Sequence, residues 1–166
     1  MRRLSIEPLT VEAFAPFGDV IAAQGAPRGI NYGATQRFHD LARIDCDAEG
    51  GRTIVNIFRS MPPVFPFEVR VMERHPLSSQ AFMPLSGRPF LVVVAPKGDF
   101  GPAGVRAFRA APGQGVNFAP GTWHHFNLAL DGQSDFLVID REGPLLEGSG
   151  ANCDEVTLNP PLLLVP

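Results

Sequence analysis

Cysteine is scarce. Cys46 and Cys153 are the only two in 166 residues, and they lie too far apart in sequence to form a disulfide framework or a metal knuckle. They read as idle thiols, suited to a reducing cytoplasm. Long apolar runs are also missing: the longest, Phe90 to Pro96 and Leu162 to Val165, fall far short of the ~20 residues of a spanning helix. Arg2 and Arg3 are followed by Glu7 and Pro8 before any stretch that could serve as a secretory leader, so a soluble cytoplasmic protein is expected. Excess positive charge is absent as well. Fourteen basic residues against seventeen acidic ones give a net charge of −3, which offers no handle for nucleic acid or an anionic membrane. There is no G-x-S-x-G elbow and no P-loop. The run Gly113-Gln114-Gly115-Val116-Asn117-Phe118 lacks the third glycine of a dinucleotide fingerprint, which disfavours nucleophilic serine and nucleotide chemistry.

Punctuation and large apolar side chains are abundant. Seventeen glycines and seventeen prolines make up about one fifth of the chain, against a usual share of roughly 12%, so the elements must be short. Thirteen phenylalanines supply a core able to offset the entropy of ordering one domain spanning residues 1–166. Thr10 caps a short helix ahead of Val11 to Phe14, which Pro16 ends. Residues 22–33 read as a loop. Strands are expected at 36–44, 53–60, 67–75, 105–110, 116–119, 122–130 and 135–141, with 79–85 and 89–95 as a hairpin about Ser86-Gly87-Arg88. Asp131-Gly132 signals a second hairpin, and the tail from Glu142 is turn-rich. Many short strands without crossover helices predict an all-β sandwich or barrel.

The strand at 67–75 is the informative one. At a period of two, Phe67, Val69, Val71, Glu73 and His75 share a face, so an apolar face ends in an acid and an imidazole. Downstream, Thr122, His124, Phe126 and Leu128 share a face, and Trp123, His125 and Asn127 take the other. Strands of a small barrel can bring such residues to one point. As the resemblance of the spacing of Glu73, His75, Gln80 and His124 to the cupin motifs implies, these four would then form a mixed nitrogen and oxygen set for a divalent metal such as Mn, Fe, Ni or Zn. The plainer alternative is a hydrogen-bonded structural pair, since any buried polar group needs a partner. Plain roles are likewise available to Arg74 (a solvated or interface residue), His125 (exposed or at a dimer contact), His39 (a cap or hydrogen bond within the fold), Trp123 (packing) and the neighbours Asp140 and Arg141 (an ion pair).

The spacing of Glu73-x-His75, Gln80, Gly87 and Gly121-x-x-His124 resembles the two motifs of the cupin superfamily. Glu73 stands where the first histidine is usual, and Gln80 where an acid is. The longer strings are more specific. Glu73-Arg74-His75-Pro76-Leu77, Thr122-Trp123-His124-His125, Asp135-Phe136-Leu137 with Ile139-Asp140-Arg141, and Asn152-Cys153-Asp154 together resemble the ureidoglycolate lyase family, as do Phe17-Gly18-Asp19-Val20-Ile21 and Arg37-Phe38-His39-Asp40. That resemblance implies a cupin-like jelly-roll β-barrel with few short helices. It also implies a cytoplasmic homodimer that cleaves (S)-ureidoglycolate to glyoxylate and urea in allantoin breakdown. Fitted to that reaction, His75 or His124 serves as base, directly or through a divalent metal (Ni, Mn or Zn), with Glu73 beside them. Gln80 and Asn117 hold the ureido group, and Arg37 or Arg141 clamps the carboxylate. An amidohydrolase releasing ammonia and carbon dioxide, or a non-catalytic cupin that binds a small organic acid, are the competing readings.

Overall fold

The computed structural model of the chain describes residues 1–144 and 152–165. Its architecture is all-β, a cupin-like barrel that is nearly closed. The chain opens with β1 (Arg3–Leu4), β2 (Ile6–Pro8) and a single helical turn α1 (Val11–Phe14), where Thr10 Oγ1 accepts from the Ala13 amide as a cap. Next come β3 (Gly18–Ile21), β4 (Arg28–Ile30), β5 (Thr35–Arg37), β6 (Arg52–Ser60), β7 (Phe67–Arg74), β8 (Gln80–Pro84) and β9 (Phe90–Ala95). The remainder is β10 (Arg106–Ala110), β11 (Gly115–Phe118), β12 (Trp123–His124), β13 (Leu128–Ala129), β14 (Ser134–Glu142) and β15 (Asp154–Leu164).

Two sheets carry the fold. One runs β1-β15-β7-β12-β9-β10-β2, with β13 also on β9; the other runs β3-β11-β8-β14-β6. The main core lies between them. Phe90, Val92, Val94 and Phe108 from the first sheet pack against Val20, Phe82, Val116, Phe118, Phe136 and Val138 from the second, with Phe14 and Phe17 closing one end. Alternate residues of β9, namely Leu91, Val93 and Ala95, enter a second cluster with Val69, Met72, Trp123, Leu128, Leu162 and Leu164. β9 is therefore buried on both faces, which its unbroken apolar sequence suits. Arg106 ties the N-terminal segment to β10: its guanidinium donates to both oxygens of Glu7, at 3.0 and 2.7 Å, and to the Ala13 carbonyl.

Several sequence expectations change here. The proposed hairpins at Ser86-Gly87-Arg88 and Asp131-Gly132 are crossovers, because β8 and β14 belong to one sheet while β9 and β13 belong to the other. The turn chemistry is present, with Gly87 and Asp131 both at positive φ, but each chain reversal changes sheet instead of pairing its flanks. The strand expected at 36–44 stops at Arg37, and the following segment is irregular. The loop at 22–33 instead contributes β4, which pairs only with β5 among the described residues. The strand expected at 122–130 splits into β12 and β13. Phe126 is 55% exposed, and Leu128 joins the second cluster with Trp123, so alternation fails between them. The tail contains the longest strand of the fold, β15, in which Pro160 and Pro161 fall within the register shift between Thr157 and Leu162, where β7 draws no ladder bond from them. The rest of that tail, residues 145–151, lies outside the described residues.

Candidate active site

Glu73, His75 and His124 meet because β7 and β12 are antiparallel neighbours in which His124 stands directly opposite Glu73. His124 Nε2 lies 3.5 Å from Glu73 Oε1. His75 lies just beyond the end of β7, its ring centroid 5.1 Å from that of His124. Its backbone carbonyl accepts from the Gly121 amide at 2.9 Å, which docks the end of β7 on the turn before β12. Gly121 makes that turn at φ 79°, a left-handed conformation that favours glycine.

Each imidazole has one nitrogen anchored and one presented. His75 Nδ1 is 2.7 Å from the Asn152 carbonyl, and His124 Nδ1 is 3.0 Å from the Thr122 carbonyl. A carbonyl can only accept, so both Nδ1 atoms carry hydrogen, and Nε2 is the atom that gains or loses a proton on either ring. Both Nε2 atoms are buried, with no hydrogen-bond partner among the described residues. Phe118, from the facing sheet, stacks on His124 at 4.3 Å with the planes 11° apart. His124 holds the Glu73 carboxyl below its usual value, against the burial that raises it, and the charges of His75 and His125 act in the same direction as His124.

The donor set fits a divalent cation. One ligand atom from each of Glu73, His75 and His124 lies within 4.8 Å of the other two, and the anchoring of each ring through Nδ1 is the usual support of a metal-binding histidine.

The remaining expected site residues are more dispersed. Gln80 sits in register with Phe118 and faces the same interior, but its amide donates to Asp140 Oδ2 at 3.1 Å, so it is a wall of the site and not a fourth member of the histidine cluster. Asn117 faces the other way. Its neighbours Val116 and Phe118 fill the core, and its amide donates to Asp19 Oδ2 and the Arg43 carbonyl, both at 2.9 Å, pinning the 38–45 segment to the outside of the sheet. Arg141 is committed to the backbone: it donates to the Ala48 and Glu49 carbonyls and lies so close to Gly51 and Gly143 that a Cβ at either would collide with it. Arg37 lies on the exposed β4–β5 hairpin, which pairs with neither of the two sheets that build the site.

Arg74 pairs with Asp154 at 2.8 Å and covers the Trp123 ring at 4.6 Å; Trp123 in turn donates to the Gly98 carbonyl, a packing role. His125 is buried against Phe67, not exposed, and burial lowers its pKa, although its bond to the Phe126 carbonyl opposes that. His39 is exposed and makes no hydrogen bond among the described residues. Asp140 and Arg141 form no ion pair; Asp140 instead accepts from Gln80 and from the Arg141 amide. Asp140 was singled out in the sequence only as a partner of Arg141, not as the acceptor that holds Gln80, and Asn152 is the site residue that sequence reasoning missed. Asn152 was visible only as part of the Asn152-Cys153-Asp154 string.

The comparison with known proteins settles the family, since a family model described as ureidoglycolate lyase matches residues 1–165. The chain belongs to the ureidoglycolate lyase family. A ureidoglycolate lyase of Burkholderia mallei is 57% identical over 159 residues, covering 95% of this chain and 91% of that protein. One from Burkholderia cepacia is 54% identical over 93% of this chain and 86% of its own, and one from Brucella ovis is 56% identical over 84% and 83%. Among solved structures, a dTDP sugar isomerase from Desulfovibrio desulfuricans superposes with a TM-score of 0.47 at 13% identity, covering 85% of each chain. Within the ureidoglycolate lyase family, the Glu73-Arg74-His75 and Trp123-His124-His125 strings thus acquire a geometric meaning: together they carry the whole of the convergent cluster.

Proposed function

We propose that this enzyme, a carbon–nitrogen lyase, cleaves ureidoglycolate to glyoxylate and urea, and that His75, His124 and Glu73 carry out the proton transfers. The observation that carries the reading is two adjacent imidazoles whose buried Nε2 atoms have no hydrogen-bond partner among the described residues, beside the Glu73 carboxylate. Ureidoglycolate is a carbinolamide, so its cleavage needs one proton removed and one delivered, and no water. His75 Nε2 takes the hydroxyl proton as the carbonyl of glyoxylate forms. The electrons of the breaking C–N bond pass to the departing nitrogen, which takes a proton from His124 Nε2, and Glu73 offsets the charge His124 bears while protonated. Gln80 faces the same interior with its carbonyl oxygen left to accept from the ureido N–H groups, because its nitrogen is held by Asp140.

A divalent cation, Ni, Mn or Zn, would be held by Glu73 and the Nε2 atoms of His75 and His124; because a coordinated Nε2 neither takes nor gives a proton, it would replace the two imidazoles in that task and supply Lewis acidity toward the substrate hydroxyl. Assays of urea and glyoxylate before and after chelation, with add-back of each metal, test that assignment. The reaction itself is tested by product analysis. Urea and glyoxylate in equal amounts without ammonia are expected, and stoichiometric ammonia would show an amidohydrolase instead. His75→Gln and His124→Gln should each lower kcat by about 100-fold or more.

We further propose a cytoplasmic homodimer. The free thiols Cys46 and Cys153 suit a reducing compartment. Strand β6 leaves one edge unpaired among the described residues, with Val55 64% and Ile57 56% exposed, and the β4–β5 hairpin is of a kind that is only marginally stable alone in water.

A further inference from the structure

The string Asn152-Cys153-Asp154 runs antiparallel to Glu73-Arg74-His75 and grips it residue by residue. Asp154 Oδ2 accepts from Arg74 Nε at 2.8 Å, Cys153 Sγ lies 3.8 Å from Glu73 Oε2, and the Asn152 carbonyl accepts from His75 Nδ1 at 2.7 Å. The ladder itself ends at the Asp154–Arg74 pair, so His75 and Asn152 both lie beyond the last sheet hydrogen bond. Side-chain bonds take over there. Asn152 Oδ1 accepts from the Leu77 amide at 2.8 Å, and Asn152 Nδ2 donates to Ser78 Oγ at 2.9 Å. An asparagine amide does both at once, whereas an aliphatic side chain of similar size does neither.

We infer that Asn152 is a positioning residue. Its two side-chain bonds to the segment just after His75 hold its own carbonyl at His75 Nδ1, and so fix the tautomer that presents Nε2 as the base. The inference rests on the reading of His75 as the base, and it assigns work to a residue that need not touch the substrate.

The test uses the whole chain and two variants. Asn152→Leu removes both side-chain bonds. Asn152→Asp keeps both, because the carboxylate accepts from Leu77 and the Ser78 hydroxyl turns to donate. For Asn152→Leu, kcat should fall about 10- to 100-fold with KM within about threefold, and 15N-detected ring spectra at pH 8 should show His75 changing from one Nδ1–H tautomer to a mixture. Asn152→Asp should recover kcat to within about threefold of wild type together with the single tautomer. If Asn152→Leu fails to fold, Ser78→Ala cuts one of the two bonds and should give the same mixed tautomer with a smaller loss in kcat. A single Nδ1–H tautomer with undiminished kcat in the folded variant overturns the inference. His75→Gln separates the two levels. Wild-type turnover in that variant overturns the base assignment and this inference with it, whereas an inactive His75→Gln beside a fully active Asn152→Leu overturns the positioning role alone.

Discussion

Replacing Phe118 with leucine separates what its ring does for the core from what it does for His124. The ring lies in the main cluster near Phe14 and Phe82, at centroid distances of 6.3 and 5.8 Å, and stacks on His124 at 4.3 Å. Phe82 serves as the matched control, since it belongs to the same cluster and packs on Phe58, Phe118 and Phe136. Both substitutions exchange a buried aromatic for a smaller apolar side chain and should cost a similar amount, about 1–3 kcal/mol, in urea-induced unfolding. Only Phe118→Leu removes a stacking partner from the imidazole. A stacked pair contributes about 0.5–1.5 kcal/mol beyond burial, so its loss lets the ring leave the orientation that aims Nε2 at Glu73. By the Boltzmann factor that corresponds to a fall in kcat of about 2- to 12-fold. The assay is urea release at saturating substrate, in a buffer where both variants are shown to be folded. Equal kcat in Phe118→Leu and Phe82→Leu at equal stability would refute the orienting role of the stack.

Asp140→Asn offers Gln80 an amide in place of a carboxylate, which lets the Gln80 side chain turn and present N–H where Oε1 stood; KM should rise about tenfold with a smaller change in kcat, as read in initial-rate kinetics. Glu7 is held below its ordinary carboxylate value first by its hydrogen bonds to Arg106, with burial opposing and the charge of Arg106 assisting. A depressed carboxylate contributes stability that is present above the unfolded pKa and lost as pH falls through the folded one. Thermal melts of wild type should therefore lose stability on the acid side of that window, and Glu7→Gln should flatten the dependence while costing under about 1 kcal/mol at pH 7, because the pair is well exposed. Val55→Lys with Ile57→Lys should convert a dimer to a monomer by sedimentation, without changing the melting temperature of the monomer by more than a few degrees.

The fold class was legible because its cause is local. Dense glycine and proline shorten the elements, and alternation marks them as strands. Pairing was not legible, because it depends on partners far away in sequence: Ser86-Gly87-Arg88 is a sound turn sequence whether its flanks pair with each other or enter different sheets. Strand β15 was hidden by Pro160-Pro161, which reads as a stop until β7 is seen to make its ladder bonds on either side of them. At the site, His75 and His124 were legible because each stands at the end of a strand, beside punctuating residues. The opposition of Glu73 to His124 required the register. Asn117 shows the limit of alternation, which says that neighbours face opposite ways but not which way is inward. Here Phe118 takes the interior, and Asn117 is left to hold the 38–45 segment on the outside.

The two histidines also show why a site of this kind is assembled at strand ends. A residue in the middle of a ladder has both backbone groups committed to neighbouring strands, so the carbonyls needed to anchor an imidazole are taken. His75 and Asn152 lie past the last rung between β7 and β15, and the Thr122 carbonyl that anchors His124 belongs to the turn before β12. Each anchor therefore comes from backbone that the sheet has released, and each ring is oriented without sacrificing a ladder bond. The cost of the arrangement is that the released segments need holding by other means. Gly121 docking on the His75 carbonyl, Thr122 Oγ1 donating to the Phe17 carbonyl at 2.9 Å, and Asn152 gripping Leu77 and Ser78 supply it. Cutting any one of these should loosen an imidazole before it unfolds the barrel, so turnover should respond to a given loss of stability more steeply here than to an equal loss at Val92 or Val93 in the centre of β9.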